Sequence, residues 1–181
     1  MAPTTAAGIS ESATGTSPPR YPAAAERLRL PLHQRAQARM SARWGFDLNA
    51  PDAAERAEAL LAESPRDPER LLVIAAVRSS RGDDQGALGA AQAAVAGGER
   101  SAPAHTTLAT LLARAGDTAA AHRHATEAVA LAPDDPVAVY NRGVTAWASH
   151  DHAAARADFD RAGDLLGLEP LRWWQRWRWA R

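Results

Sequence analysis

The sequence predicts an all-α chain, an α-solenoid of antiparallel helix hairpins stacked side by side, and three observations lead there. Gly82-Asp83, Gly116-Asp117 and His150-Asp151 follow one another at an interval of 34 residues, a period characteristic of stacked helical hairpins. Small residues keep step with that interval: Ala75, Ala109 and Gly143 before the turn, then Ala87, Ala121 and Ala155, and Ala94, Ala128 and Ala162 after it. Small side chains at recurring places let paired helices sit near the short end of the roughly 8–10 Å interaxial range. Finally, 45 of the 181 residues are Ala, the best helix former. A single hairpin cannot cover its own apolar face, so the units must stack, and stacking generates an extended surface suited to binding.

Taken in order, residues 1–22 are rich in Ser, Thr, Pro, Gly and Ala, a composition that cannot bury enough apolar surface to fold, so a disordered tail is expected. This stretch has no basic run followed by an apolar core and so does not read as a secretory signal. Residues 23–67 are expected to hold a degenerate helical repeat, with the copy itself over 34–67. Met40, Ser41 and Trp44 take the apolar, small and aromatic places of its first helix, and Ala53, Leu60 and Pro65 fall on the later beats. Asn49 and Pro51 supply a start signal for the second helix, because Asn caps free amides and Pro suits a first turn. Leu60 stands where a small residue is usual, and solenoids commonly end on such an atypical unit.

Three clear units cover 68–169. The first opens with Leu71, Ile74, Ala75 and Arg78; one period on stand His105, Leu108, Ala109 and Leu112, and another on Val139, Arg142, Gly143 and Ala146. After the turn, Val95, Val129 and Gly163 correspond in the same way. Pro170 follows Pro136 by one period, so 170–181 should be a lone capping helix. There Trp173, Trp174 and Trp177 share an arc of about 100° while Arg172 and Arg176 point away. Trp177 stands where earlier units keep Ala or Gly, and an indole can fill the space that an absent partner helix leaves. Trp179 lies on the arginine side, which capping does not explain.

This pattern resembles the tetratricopeptide repeat family over 68–169. The stretches that carry the likeness are Leu108-Ala109, Gly116-Asp117, Ala121, Ala128-Val129 and Pro133, and then Tyr140-Asn141-Arg142-Gly143, Ala155, Phe159 and Ala162. Two departures are Arg142, where the family usually has Leu, and Glu99, where the middle unit has Pro133; fraying is expected there. The resemblance implies a concave wall built from first helices, into which Leu72, Ala76, Ser79, Thr106, Thr110, Arg114, Tyr140, Val144 and Trp147 look. It implies Tyr140 and Trp147 as large amphipathic anchors, the residue types that become binding hot spots, with packing against the next helix as the competing role. Some family members clamp a terminal carboxylate with Lys and Asn; the corresponding residues here are Leu72, Ala76, Thr106 and Thr110, so a peptide with an apolar side chain is the better ligand.

Charge and composition narrow the function classes. All 21 basic residues are Arg, balanced by 21 acids. Arg172, Arg176, Arg178 and Arg181 crowd the last twelve residues beside four of the six Trp and no acid, which leaves the body ahead of them at a net −4. An acidic body without a basic face argues against nucleic acid. Without Cys there are no disulfides or thiolate metal sites. Among the six His, His122/His124 and His150/His152 sit two apart; such pairs do not face one another on a helix, so a solvated role and no metal are expected. No nucleophile has a recognisable partner, no phosphate loop is present, and no isolated carboxylate pair marks an acid–base site.

The sequence therefore reads as a non-enzymatic, cofactor-free scaffold, bacterial by its Arg- and Ala-rich composition and cytoplasmic, that binds a partner peptide or protein through the concave groove. The alternative is a peripheral membrane-associated adaptor, anchored by Trp173, Trp174, Trp177, Arg172, Arg176 and Arg178, since indoles favour the headgroup zone and Arg attracts acidic lipid.

Overall fold

The computed structural model describes residues 22–97 and 100–169. Among these, eight α-helices and no strand occur: α1 (Ala23–Trp44), α2 (Ala53–Glu63), α3 (Pro68–Ser80), α4 (Asp84–Ala96), α5 (Ala102–Arg114), α6 (Thr118–Leu131), α7 (Pro136–Ala148) and α8 (His152–Leu165). Of the tail expected over 1–22, residues 1–21 lie outside the described residues, as do the departure at Glu99 and the cap helix 170–181, while Pro22 is buried as the N-cap of α1, its carbonyl accepting from the Ala25 amide.

The period of 34 is a period of helix boundaries. Asp67, Ser101 and Asp135 are the N-caps of α3, α5 and α7, each accepting from a backbone N–H in the first turn, and a Pro follows within that turn. Asp83, Asp117 and Asp151 cap α4, α6 and α8, and each carboxylate accepts from the amide three residues on, at Gly86, Ala120 and Ala154. A side-chain cap of this kind contributes about 1 kcal/mol, and its repetition sets every hairpin to the same length. The residue before each of these second caps adopts the left-handed conformation, with φ of 81° at Gly82, 87° at Gly116 and 63° at His150. Glycine takes that conformation without steric cost whereas histidine does not. His150→Gly is therefore expected to stabilise the chain by about 0.5–1 kcal/mol, seen as a melting point raised by roughly 1–4 °C; an unchanged or lower value would show the turn to be unstrained.

Within a hairpin the helices pack tightly, α3 on α4, α5 on α6 and α7 on α8. Between hairpins, α4 meets α5 and α6 meets α7, while α3, α5 and α7 also touch in succession. The first helices thus form an inner, mutually adjoining row, which curves the stack with that row on the concave side. Small residues allow the approach. Ala75, Ala87, Ala94, Ala109, Ala121, Ala128, Ala155 and Ala162 are all fully buried, filling close crossings with little more than a methyl group each. Larger residues fill the rest of the core, among them Val73, Ile74, Val77 and Leu108 in one cluster, and Leu28, Val139 and Phe159 in another.

Upstream of the repeats, α2 packs on α3. Its start differs from the expectation at Asn49 and Pro51: the helix begins at Ala53 after Asp52. The Asn49 N–H donates to the Asp47 carboxylate and the amide of Ala50 to the Asp47 carbonyl, so this segment is spent on a turn. Met40, Ser41 and Trp44 form the last turns of the 22-residue α1. At its other end α1 approaches α7 and α8, the far end of the stack, and not α2. Ala24, Ala25, Leu28 and Leu32 are buried there among Val139, Ala155 and Phe159. A helix of this length spans about 33 Å, enough to cross the inner row. Among the described residues no helix is long and apolar enough to cross a membrane.

Candidate functional site

The inner row and α1 enclose the candidate site. A cavity of about 330 Å³ lies between α1 and the opening turns of α3, α5 and α7, with Met40 and Trp44 on one wall and Leu72, Pro103, Thr106 and Val137 on the other. On the other flank of α1 a cavity of about 380 Å³ is lined by His33, Ala36, Leu72, Ala76, Ser79 and Arg114. A third, of about 330 Å³, lies between α5 and α7 against Thr110, Arg114, Asn141 and Val144. Leu72, Ala76, Ser79, Thr106, Thr110, Arg114 and Val144, which the resemblance implied for the concave wall, all line these three cavities. Their common origin is the helical period: residues three or four apart on each first helix share the face left over after the other faces pack on α4, α6 and their neighbours.

Polar contacts tie this wall together. Arg114 forms an ion pair with Asp84 at 2.7 Å and donates to the Ser79 hydroxyl at 2.6 Å. The Asn141 amide donates to the Thr110 hydroxyl at 3.1 Å, and that hydroxyl donates to the Thr106 carbonyl. Tyr140 and Trp147, the two expected anchors, have partners among the second-helix residues: Tyr140 leans on Phe159 with ring centroids 5.7 Å apart, and Trp147 on His152 at 4.3 Å. Both are half-buried. Neither ring lines the three cavities; their contacts with α8 hold them in fixed orientations. The other expected contact set, Trp173, Trp174, Trp177, Arg172, Arg176 and Arg178, lies outside the described residues.

Three histidines depart from the expected solvated role. His122 and His124 do point apart, but each finds a partner on a neighbouring helix. The Thr145 hydroxyl donates to the Arg142 carbonyl at 2.9 Å and so accepts from His122 Nδ1 at 3.0 Å, which places the proton on that nitrogen. His124 Nδ1 lies 3.0 Å from His105 Nδ1, a contact that needs one ring to donate and the other to accept. Burial, followed by the charges of His105 and Arg123, holds the His124 pKa below its usual 6.5. Among the described residues no group of three or more His, Cys, Asp or Glu is placed to hold a metal ion. The pairing was illegible in the sequence because 105 and 124 belong to different helices, and only the crossing of α5 with α6 joins them.

This lowered pKa has a sign. The unfolded chain takes up a proton at His124 near pH 6.5 while the folded chain resists it, so the stabilisation is complete above that pH and is lost as the pH falls through it toward the lower folded-state value. The melting temperature should drop between about pH 7.5 and 5.5, and His124→Gln should flatten that dependence. Parallel profiles for the two proteins would remove His124 from the account.

Arg142, expected to weaken its repeat, is held. Its guanidinium grips Asp158 of α8 through two hydrogen bonds of 2.8 and 2.6 Å, and the Asp158 side chain is only 6% exposed. That hydrogen bonding, opposed by burial, raises the Arg142 pKa above its ordinary value. Asp158 is a residue that sequence reasoning missed. Its one signal was position, a carboxylate next to Phe159 on the face of α8 turned to α7.

No family model matches the chain, and no curated protein matches it in sequence. Solved structures match it in fold. MamA shares 16% identity over 79% of this chain and 86% of its own, with a TM-score of 0.58. TTC0263, a thermophilic TPR protein of Thermus thermophilus, shares 23% over 78% of this chain and 74% of its own, with a TM-score of 0.57. A tetratricopeptide repeat protein of Parabacteroides merdae shares 20% over 81% of this chain and 55% of its own, with a TM-score of 0.55. The fold is that of tetratricopeptide-repeat proteins.

Proposed function

We propose that this chain is a non-enzymatic interaction scaffold that receives a peptide or helix of a partner protein on its concave wall. The observation that supports the reading is that residues of α3, α5 and α7 which the family resemblance implies for the concave wall line open cavities of about 330–380 Å³. Its walls combine apolar surface with a few fixed polar groups, the usual make-up of a recognition cleft. Placing a photo-crosslinking residue at Thr110, exposed on the wall, and separately at Ala93, exposed on α4, tests it in the native host. A discrete adduct with one protein is expected from position 110 and not from 93. Equal labelling at both, or none at 110, rejects the groove reading.

The membrane-associated reading rests on composition alone, four Trp and four Arg without an acid in residues 170–181. Flotation of the chain with and without these residues on vesicles containing acidic lipid tests it, and failure of the whole chain to bind at low salt discards it.

A further inference from the structure

The groove is partly covered by the chain itself. From its buried end against α7 and α8, α1 runs over the opening turns of the inner row and reaches α3 through the Arg43–Glu69 ion pair, with a cavity on each flank. Leu28, Leu32, Ala36, Met40 and Trp44 recur at every fourth position. Since each four-residue step advances about 40° around a helix, this stripe winds by about 160° from one end to the other. Along one edge Arg39 pairs with Asp135 at 3.3 Å, and Arg43 with Glu69 at 2.8 Å. Those two acids are the N-cap of α7 and a first-turn residue of α3, so the lip of the groove is negative where the helix is positive.

The fit is loose. Only Ala24, Ala25, Leu28 and Leu32 of α1 are buried; Met40 and Trp44 are half-buried, and the Thr106 hydroxyl, hidden on the cavity wall, has no hydrogen-bond partner. Both arginines are more than half exposed, and exposed ion pairs hold weakly. Pro31 inside α1 removes one of its backbone hydrogen bonds. The link to α2 starts at Gly45, whose φ of 73° ends the helix in a left-handed turn. Beyond Leu32 these are properties of a segment held weakly on the stacked hairpins, whereas its first turns are anchored in the α7–α8 core.

We infer that α1 is the resident occupant of the groove, and that the partner protein enters by displacing it with a helix of the same chemistry, apolar at every fourth position and basic along one edge. This rests on the groove-binding reading above and adds to it the partner's chemistry and the gate. A site closed most of the time binds a ligand more weakly in proportion to its open fraction.

The probe is a fluorescein-labelled peptide of residues 23–44, titrated into the full chain and into a full chain carrying Leu28→Glu and Leu32→Glu, which unseat α1. The released chain is expected to bind at least about tenfold more tightly, and the added changes Glu69→Gln and Asp135→Asn, which keep hydrogen-bond acceptors but remove charge, should weaken that binding. Should the double Glu variant lose its helical circular dichroism, Arg39→Glu with Arg43→Glu, both on exposed side chains, replaces it and should give a gain of at least about threefold. Equal affinity for closed and released chains overturns the inference while leaving the crosslinking result at Thr110, and the groove reading, standing. Dimerisation of the released chain that the peptide reverses would make a second copy's α1 the occupant and overturn the assignment to a partner protein.

Discussion

Arg142→Leu is expected to destabilise the chain by about 3 kcal/mol and to lower its melting temperature by roughly 6–12 °C, although Leu is what the repeat pattern would place there. The reason is Asp158. Its carboxylate is 6% exposed and takes both of its strong hydrogen bonds from Arg142; without the guanidinium, a charge remains desolvated and unpaired. The loss belongs to the orphaned partner rather than to the pair itself, because well-packed apolar residues of similar volume often replace a buried ion pair at no net cost. Arg142→Leu combined with Asp158→Leu should therefore recover most of the lost stability. Thermal unfolding of the single and double variants measures this, and a single variant as stable as the parent would show that Asp158 has water or another donor to turn to.

Gly143→Ala is the second large effect, and here two terms of opposite sign compete. Ala is favoured over Gly inside a helix by about 1 kcal/mol. A Cβ at 143, however, would lie 2.8 Å from Phe159 Cε1 and 3.0 Å from Asp158 Cβ, closer than carbon atoms tolerate, and Phe159 is 2% exposed with little room to retreat. Overpacking a filled site costs about 1–3 kcal/mol, so a net loss of up to about 2 kcal/mol is expected. Gly89→Ala is the matched control: on α4 an added Cβ meets nothing within 4 Å, so the helical gain of up to about 1 kcal/mol should appear undiminished. Denaturant unfolding of the two variants should move in opposite directions. Movement in the same direction would mean that α7 and α8 can part at this crossing.

The same crossing shows how far sequence reasoning reaches. That Gly143 must be small was legible, because Ala75 and Ala109 hold the equivalent places. That Arg142 has an answering acid was not, since its partner stands on the next helix and both residues break the repeat pattern. The three pairs His105–His124, His122–Thr145 and Arg142–Asp158 all join helices that are neighbours only after folding. Periodicity reports what each unit shares, and these pairs are what single units do not share.

For the candidate site, the seven wall residues from Leu72 to Val144 are those that the family resemblance implied for the first helices, and all of them line the cavities described above. The course of α1 could not be read in this way. Leu28 and Leu32 are apolar residues on an Arg-rich helix with Pro31 between them, and local pattern does not distinguish a helix that stacks beside α2 from one that crosses to α8, some 130 residues further along the chain.

By itself the sequence determined the repeat helices, the hairpin length and the small-residue crossings, since each of these follows from residues within one period and from forces acting over a few ångströms. Only the tertiary structure decided which buried polar groups pair and what lies in the groove. Those outcomes depend on which surfaces remain uncovered once the hairpins have stacked, and that is a property of the whole array rather than of any segment in it.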